Sequence, residues 1–314
     1  MTTPPRPEPG QAADELPVCP RHPDRISYVR CQRCDRPVCP ECQRPAPVGV
    51  QCVDCVRQQA RTVRPARTVF GGLASQGRPV VTLTIIAICV VLFVLQLATH
   101  DQVTRELDFY PPLAMAEPYR FLTSAFLHST SFLPHILLNL YALWLVGPYL
   151  EGLLGHAQFA ALYLLSAVGG SVGFYLLVNP SDPQAWQTSA VGASGAVFGL
   201  FGALFVVNRR LNRNVGGIVA VLVINAVLGF VAQGIAWQAH LGGLVTGAAT
   251  AAILVYLPRG RRAARWAGLA GVALVLVLVV VVRTQALPIG AEYPAQLSSL
   301  GISHVDTTVV IPQL

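Results

Sequence analysis

The sequence has little charge, since only 12% of its 314 residues are Asp, Glu, Lys or Arg, whereas 53% are hydrophobic. This balance excludes an ordinary soluble domain. Several uncharged apolar runs are about 20 residues long, enough to cross about 30 Å of hydrocarbon. We therefore expect an integral membrane protein of the all-α polytopic class.

Other absences narrow the function. No Asp or Glu lies in the middle of an apolar run, and no inverted repeat is evident, so the sequence does not favour a transporter. The first residues are polar and proline-rich and do not resemble a cleavable signal peptide. The net charge of +7 comes mainly from arginines in short loops beside apolar runs, which indicates membrane orientation and makes nucleic acid an unlikely partner.

Seven apolar runs predict seven transmembrane helices. The runs cover about 80–99, 134–153, 157–178, 192–208, 215–232, 237–257 and 265–283. With this count, the basic segments 208–214 and 258–265 and the arginine-rich stretch 59–79 fall on one side, which the positive-inside rule assigns to the cytoplasm. We expect a cytoplasmic N-terminus and an extracytoplasmic C-terminus, in the plasma membrane.

This organisation predicts six regions along the chain, in which the seventh span is a peripheral addition to a six-helix core. They are a disordered tail (1–16), a cysteine-rich module (17–58), a basic linker (59–79), the six-span core (80–257), a cytoplasmic loop with the seventh span (258–284) and an extracytoplasmic tail (285–314).

Seven of the eight cysteines lie between positions 19 and 55, and the eighth, Cys89, is expected to be a small buried hydrophobe. One CxxH and three CxxC pairs offer eight ligands, enough for two tetrahedral zinc ions: Cys19, His22, Cys31, Cys34, Cys39, Cys42, Cys52 and Cys55. A disulfide framework is not favoured, because the module is predicted in the reducing cytosol and seven cysteines cannot all pair. We predict two structural zinc ions, without which about 40 residues could hardly fold.

The pattern resembles a B-box-type zinc finger, in which alternate pairs share a metal. This resemblance implies one zinc on Cys19, His22, Cys39 and Cys42, and the other on Cys31, Cys34, Cys52 and Cys55. Sequential pairing is the alternative that spacing leaves open. We expect the module to bind a cytosolic protein or to self-associate. Nucleic-acid binding through its arginines is the weaker alternative, since charged side chains are the usual surface of a small module.

The stretch "SAVGASGAVFGLFGALFVVNRR" (189–210) places Ser194 among small residues where a span begins. The second, fourth and sixth spans start at the same face, so His135 with Asn139, Ser194, and His240 come to a similar depth. A histidine can activate a serine nucleophile, and His135, Asn139 and a backbone N–H can donate to an oxyanion.

The alternative is that Ser194 is only a packing residue and that the histidines and Asn139 bridge helices or lie at the interface. Small residues four apart let helices approach closely, and such pairs occur at Gly195 and Gly199 and again at Gly243 and Gly247. Glycine faces beside both Ser194 and His240 favour a shared site without deciding its chemistry.

Four separated blocks, "HILLN" (135–139), "GPYLEG" (147–152), "GASG" (192–195) and "AHLGGLVTG" (239–247), resemble the signature motifs of rhomboid intramembrane serine proteases over about 78–257. The resemblance implies a rhomboid-like six-helix core with Ser194 as nucleophile and His240 as general base. It also implies that Asn139 and His135 stabilise the oxyanion, that Phe198, Gly195 and Gly243 pack on the dyad, and that Glu151 is a structural acid.

The implied activity is endoproteolysis of single-pass membrane proteins near the outer face, with no metal in the reaction. A non-enzymatic adaptor of the same fold that binds membrane proteins is the alternative. The sequence departs from the family where a Trp-Arg pair is usual, since Tyr119 and Arg120 stand there, and the spacing from His128 to His135 is stretched. We expect Glu117 and Arg120 to form a solvated or headgroup-facing pair.

Overall fold

The computed structural model describes residues 16–62, 67–73, 77–231 and 234–287. The predicted disordered tail lies outside the described residues except for Leu16, as does the predicted C-terminal tail beyond Leu287. The chain divides into two compact units, 1–65 and 66–314. The finer domain boundaries stay predictions.

The first unit consists of two small antiparallel sheets and one helix. Strand β1 (Val18–Cys19) pairs with β2 (His22–Ile26), β3 (Gln43–Pro45) pairs with β4 (Val50–Cys52), and α1 (Val53–Thr62) follows directly. Among the described residues of this unit, Val38 is the only buried aliphatic side chain, and cysteines form the rest of the apolar interior. An interior of this kind supplies little hydrophobic stabilisation, so the unit depends on other cross-links between its segments.

The described residues of the second unit form seven long helices, which lie where the apolar runs predict spans. They are α2 (Val80–Ala98), α5 (Pro134–Leu154), α6 (His156–Leu177), α8 (Ser194–Arg210), α9 (Gly216–Val231), α10 (Trp237–Tyr256) and α11 (Arg262–Gln285), with shorter helices α3 (Gln102–Leu107), α4 (Arg120–Thr123) and α7 (Pro183–Trp186) in the loops. Five of the long helices are long and apolar enough to cross a membrane. The all-α polytopic class is therefore confirmed. Helices α8 and α9, with 17 and 16 residues, stay predicted spans.

Glycine contacts join α6, α8 and α10. A methyl group on Gly243 of α10 would overlap the carbonyl oxygen of Gly195 on α8, and a methyl group on Gly247 would overlap that of Gly199. On the other side of α10, a Cβ on Gly173 of α6 would lie 2.6 Å from the Cα of Gly242. These backbones touch directly, which explains why glycine recurs at a spacing of four residues.

Glu151, at the last turn of α5, holds the beginning of α2. Its carboxylate is 1% exposed and accepts hydrogen bonds from the N–H of Val81 at 2.9 Å and from the N–H and hydroxyl of Thr82 at 2.9 and 2.6 Å. His156 contacts the same carboxylate. The first N–H groups of a helix have no partner within it and favour a negative charge, so Glu151 acts as a cap supplied by another helix.

Helix α11 lies at the periphery of the unit and is bonded at both ends. Near its C-terminus, Thr284 contacts the hydroxyl of Tyr175 at 3.0 Å and Arg283 donates to the carbonyl of Val178 at 2.9 Å. Near its N-terminus, Arg265 donates to the carbonyls of Phe70 and Leu257. Phe70 lies in a short turn, and its N–H donates to the carbonyl of Leu153 on α5 at 3.3 Å. Part of the predicted linker therefore packs on the long helices.

We predict that Gly243→Ala lowers the free energy of unfolding by about 1–3 kcal/mol, because the methyl group has no space at Gly195. Gly152→Ala is the matched control: it also lies in a long helix, but a Cβ there has no neighbour within 4 Å. Alanine at Gly152 should stabilise the helix slightly. Unfolding of both variants in detergent micelles measures the difference, and equal stability of the two would show that the glycine contact is not limiting.

Candidate active site and metal centres

Ser194 is the first residue of α8 and follows a turn that requires glycine. Gly192 has φ +137°, which L side chains rarely adopt. A Cβ on Gly192 would lie 2.7 Å from Nε2 of His135 and 3.5 Å from Oγ of Ser194. The imidazole of His135 and the hydroxyl of Ser194 therefore flank the same point of the turn.

His240 lies in the first turn of α10 and is held by an aromatic ring. Phe198, one turn after Ser194 on α8, stacks on the His240 imidazole with ring centroids 4.1 Å apart and planes 7° apart. Ser194 and His240 do not form a hydrogen bond in this structure, although the helices that carry them touch at Gly195 and Gly243. Hydrogen bonds between catalytic groups are often long in free enzymes and tighten when substrate binds.

Two kinds of donor lie at the Ser194 turn, the imidazole of His135 and the first N–H groups of α8, and Asn139 lies one turn after His135 on α5. Nδ1 of His135 accepts from the N–H of Ser129 at 3.2 Å, so in the neutral ring the proton belongs on Nε2, the atom beside the turn. Asn139 donates one amide hydrogen to the carbonyl of His135 at 2.8 Å and keeps a second. The first hydrogen bond of α8 runs from the N–H of Val197 to the carbonyl of Ala193. The N–H groups of α8 before Val197 therefore have no partner within the helix.

Arg120 contradicts its sequence-based interpretation. The expected pair with Glu117 forms, but the prediction that it is solvated is wrong for Arg120, whose side chain is only 4% exposed and reaches into the loop that precedes α4. Its guanidinium donates to the carbonyl of Arg105 at 2.8 Å, to the carbonyl and carboxylate of Asp108 at 3.0 and 2.8 Å, and to Glu117. The loop folds around this side chain because one guanidinium offers five donors to oxygens that would otherwise be buried unpaired.

The two carboxylates around Arg120 differ in their electrostatics. Burial raises the pKa of Asp108, and this effect outweighs the hydrogen bond from Ser189 and the charge of Arg120. Burial also acts to raise the pKa of Glu117, but hydrogen bonds from Tyr119 and Arg120 lower it overall. Glu117 is therefore the more firmly ionised partner of the guanidinium.

The loop fixed by Arg120 holds the segment that leads into Ser194. Phe109, next to Asp108, exchanges two backbone hydrogen bonds with Ala190 at 3.0 and 2.9 Å, and the N–H of Gly192 donates to the carbonyl of Ser124 at 3.0 Å. Sequence reasoning assigned none of these residues to the site. The tyrosine-arginine pair at 119–120, in the place of the family's Trp-Arg pair, was the available signal.

A second long-range clamp fixes the segment before α5. The side-chain amide of Gln96 on α2 donates to the carbonyl of His128 at 2.8 Å and accepts from its N–H at 3.1 Å. The buried ring of His128 packs against that of His135, with centroids 5.4 Å apart. The stretched spacing between these histidines is thus accommodated in a loop whose first residue is anchored to another helix.

Residues 115–257 match the sequence model of the rhomboid domain. The chain contains a rhomboid domain. This assignment covers the loop that contains Arg120 and the helices that carry His135, Ser194 and His240.

Three relatives show the extent of the likeness. The chain is 32% identical over 199 residues to Rhomboid protease GluP of Bacillus subtilis (strain 168), a match that covers 60% of this chain and 37% of GluP. It is 36% identical over 141 residues to Putative rhomboid protease YdcA of the same organism, covering 43% and 66%. It is 29% identical over 184 residues to Rhomboid protease GlpG of Yersinia pestis (strain Pestoides F), covering 56% and 62%. The chain thus spans less than two thirds of the length of each.

The first unit, which lies outside the rhomboid domain, brings its eight predicted ligands into two clusters. The donor atoms of Cys19, His22, Cys39 and Cys42 lie within 4.8 Å of one another, as do those of Cys31, Cys34, Cys52 and Cys55. Alternate pairs therefore converge, and the sequential alternative does not describe this structure. Four convergent donors rich in thiols fit a tetrahedral, thiophilic metal ion, so both clusters can hold one.

Local structure explains the convergence. The turn between β1 and β2 places Cys19 and His22 together, and the end of β4 with the first turn of α1 does the same for Cys52 and Cys55. Cys31 accepts hydrogen bonds from the N–H groups of Arg33 at 3.4 Å and Cys52 at 3.2 Å. Backbone donors of this kind favour thiolates, the form that binds metal.

We predict that Arg120→Gln increases hydrogen exchange at the amides of Phe109 and Ala190. Loss of the buried ion pair should cost the loop about 3 kcal/mol, which corresponds to roughly hundredfold faster exchange. Arg105→Gln is the matched control, since its side chain is exposed in the same loop and only its carbonyl contacts Arg120. Unchanged exchange in the Arg120 variant would contradict the positioning role.

Metal content of double variants tests the alternate pairing. Cys19→Ser with Cys39→Ser removes two ligands from one cluster and should leave about one metal ion per chain, whereas Cys19→Ser with Cys31→Ser should leave none. Sequential pairing would reverse this order. Cys89→Ser, in α2 and far along the chain from the clusters, should retain both ions. Elemental analysis of the purified full chain gives the counts.

Proposed function

We propose that the protein is an intramembrane serine endopeptidase that cuts single-pass membrane proteins near the outer membrane face. One observation carries the proposal: Ser194 begins α8, and Phe198 of the same helix stacks on His240 of α10, where the two helices meet through glycines. Relatives named rhomboid proteases support the same chemistry.

In this proposal His240 removes the proton from Oγ of Ser194, which attacks the scissile carbonyl carbon. The oxyanion receives hydrogen bonds from Nε2–H of His135, the remaining amide hydrogen of Asn139 and the first N–H groups of α8. When the intermediate collapses to the acyl-enzyme, His240 returns the proton to the leaving amine. Water then attacks the acyl carbon by the same proton relay and regenerates Ser194.

No carboxylate belongs to the proposed dyad, so another group must orient the imidazole. Phe198 fills this role, because stacking with planes 7° apart leaves the ring little freedom to tilt. By family resemblance, the substrate has a small residue before the scissile bond and a helix that unwinds easily. An intact helix would shield its peptide bonds from Oγ.

We further propose that the two clusters of the first unit hold structural zinc. All four positions at each cluster are filled by protein donors, which leaves none for substrate or water. By the positive-inside rule, the protein lies in the plasma membrane with its cysteine-rich module in the cytoplasm and its C-terminal tail outside. A cytosolic protein or a second copy of the module is its proposed partner.

Cleavage of a single-pass substrate in liposomes tests the mechanism. Ser194→Ala and His240→Ala should each reduce the rate by at least about 10³-fold, because nucleophile and base act as one unit. Ser166→Ala is the matched control: Ser166 is also a buried serine within the helical unit, and its hydroxyl has no hydrogen-bond partner among the described residues. This variant should cleave at the wild-type rate.

Two other outcomes would contradict the mechanism. Wild-type cleavage by Ser194→Ala would make the Ser194 turn a packing feature. Absence of cleavage by folded wild type, together with no labelling of Ser194 by a fluorophosphonate, would favour the adaptor.

A further inference from the structure

A basic cavity of about 200 Å³ lies where α8 and α10 end and α11 begins. Three arginines line it, Arg210, Arg259 and Arg265, together with Tyr256 and the turn at Phe70. No acidic side chain lines the cavity, and none of the three arginines forms an ion pair with a described residue. The cavity therefore concentrates positive charge without a counter-ion from any described residue.

Arg265 is the most constrained of the three. The residue is only 2% exposed, and its terminal nitrogens donate to the carbonyls of Phe70 and Leu257. Its Nε–H is buried and has no partner among the described residues. A buried cation that lacks an anion is costly, and a negative charge inside the cavity that Arg265 lines would lower that cost.

The other two arginines line the same cavity. A Cβ on Gly71 would lie 3.0 Å from Nη1 of Arg265 and 3.4 Å from Cβ of Arg259, so both side chains flank this glycine. The guanidinium of Arg210 lies over the ring of Tyr256, 5.8 Å from its centroid. A guanidinium group can donate two parallel hydrogen bonds to two oxygens of a phosphate. Several guanidinium groups together favour an anion whose oxygens can accept many hydrogen bonds.

The depth of the cavity favours a lipid source for such an anion. Tyr256 ends α10 and Trp266 lies in the first turn of α11, and both rings are exposed. Exposed aromatic rings at the ends of spans are typical of the membrane interface, the depth at which lipid phosphates lie. Basic pockets between helices at this level bind anionic headgroups.

We propose that this cavity binds a phosphate group, carried by an anionic phospholipid or present as a free ion. The bound phosphate accepts from the guanidinium groups of Arg210 and Arg259 and neutralises the charge of the buried Arg265. It thereby ties the end of α10 to the beginning of α11. The proposal depends neither on the chemistry of Ser194 nor on the metal clusters.

Native mass spectrometry of the full-length protein tests the site. The protein is titrated with short-chain phosphatidylglycerol, with short-chain phosphatidylcholine and with inorganic phosphate. The double variant Arg210→Gln/Arg259→Gln should bind phosphatidylglycerol about tenfold more weakly or worse than wild type, since each interfacial arginine contributes appreciably to binding. The matched control Arg209→Gln/Arg261→Gln removes the same charge from the same two segments outside the cavity and should bind like wild type. Neither pair includes Arg265, whose loss could unfold the loop.

The three probes separate the sources. A lipid headgroup is identified if the wild type and the Arg209→Gln/Arg261→Gln control bind phosphatidylglycerol more tightly than phosphatidylcholine and the Arg210→Gln/Arg259→Gln variant does not. Binding of inorganic phosphate with the same dependence, and no preference between the lipids, identifies a free ion. Equal weakening by both double variants would show diffuse attraction to charge and overturn the proposal, as would failure of the wild type to bind any of the three probes.

Discussion

The direct backbone contact between α8 and α10 is the constraint on which the second unit depends. Gly195 follows Ser194 immediately, and Gly243 lies one turn after His240. Because no atom fits between the Gly195 carbonyl and Gly243, the two helices cannot slide or rotate without a clash. The register that lets the helices touch is therefore also the register that sets where Ser194 stands relative to His240.

Polar groups at the ends of the helices fix what the glycines leave free. Glu151 of α5 accepts from the first N–H groups of α2, and Gln96 of α2 bonds the backbone of His128 in the segment before α5. Arg120 bonds the loop that contains Asp108, and the neighbouring Phe109 pairs with Ala190. Each of these side chains bonds backbone groups that hydrocarbon could not satisfy. Specific polar contacts thus concentrate near the ends of the spans, whereas small residues carry the packing between them.

Much of this fold follows from local sequence. Apolar runs without charge gave helix ends within a few residues, and the difference at α8 has a physical cause: the predicted span begins at Gly192, but φ +137° there excludes a helix, so α8 begins at Ser194. The glycine faces were also predictable, because a spacing of four residues is a helical signal. Arg120 was not, since an arginine in a loop is usually solvated, and only the folded loop brings Asp108 and Glu117 around it. The pairing of Gln96 with His128 likewise carries no local signal, as the two are far apart along the chain.

The arginines at the cytoplasmic side of the predicted topology illustrate how one sequence feature serves two purposes. The positive-inside rule predicts that Arg259 and Arg265 lie on the cytoplasmic side, but orientation alone would be served equally well by arginines extended into water. Arg265 instead is buried and bonded to two carbonyls, at a cost that orientation does not require. That burial couples the peripheral α11 to the turn at Phe70 and hence to α5. The seventh helix is thus attached to the helical unit through a buried charged side chain whose Nε–H has no partner among the described residues.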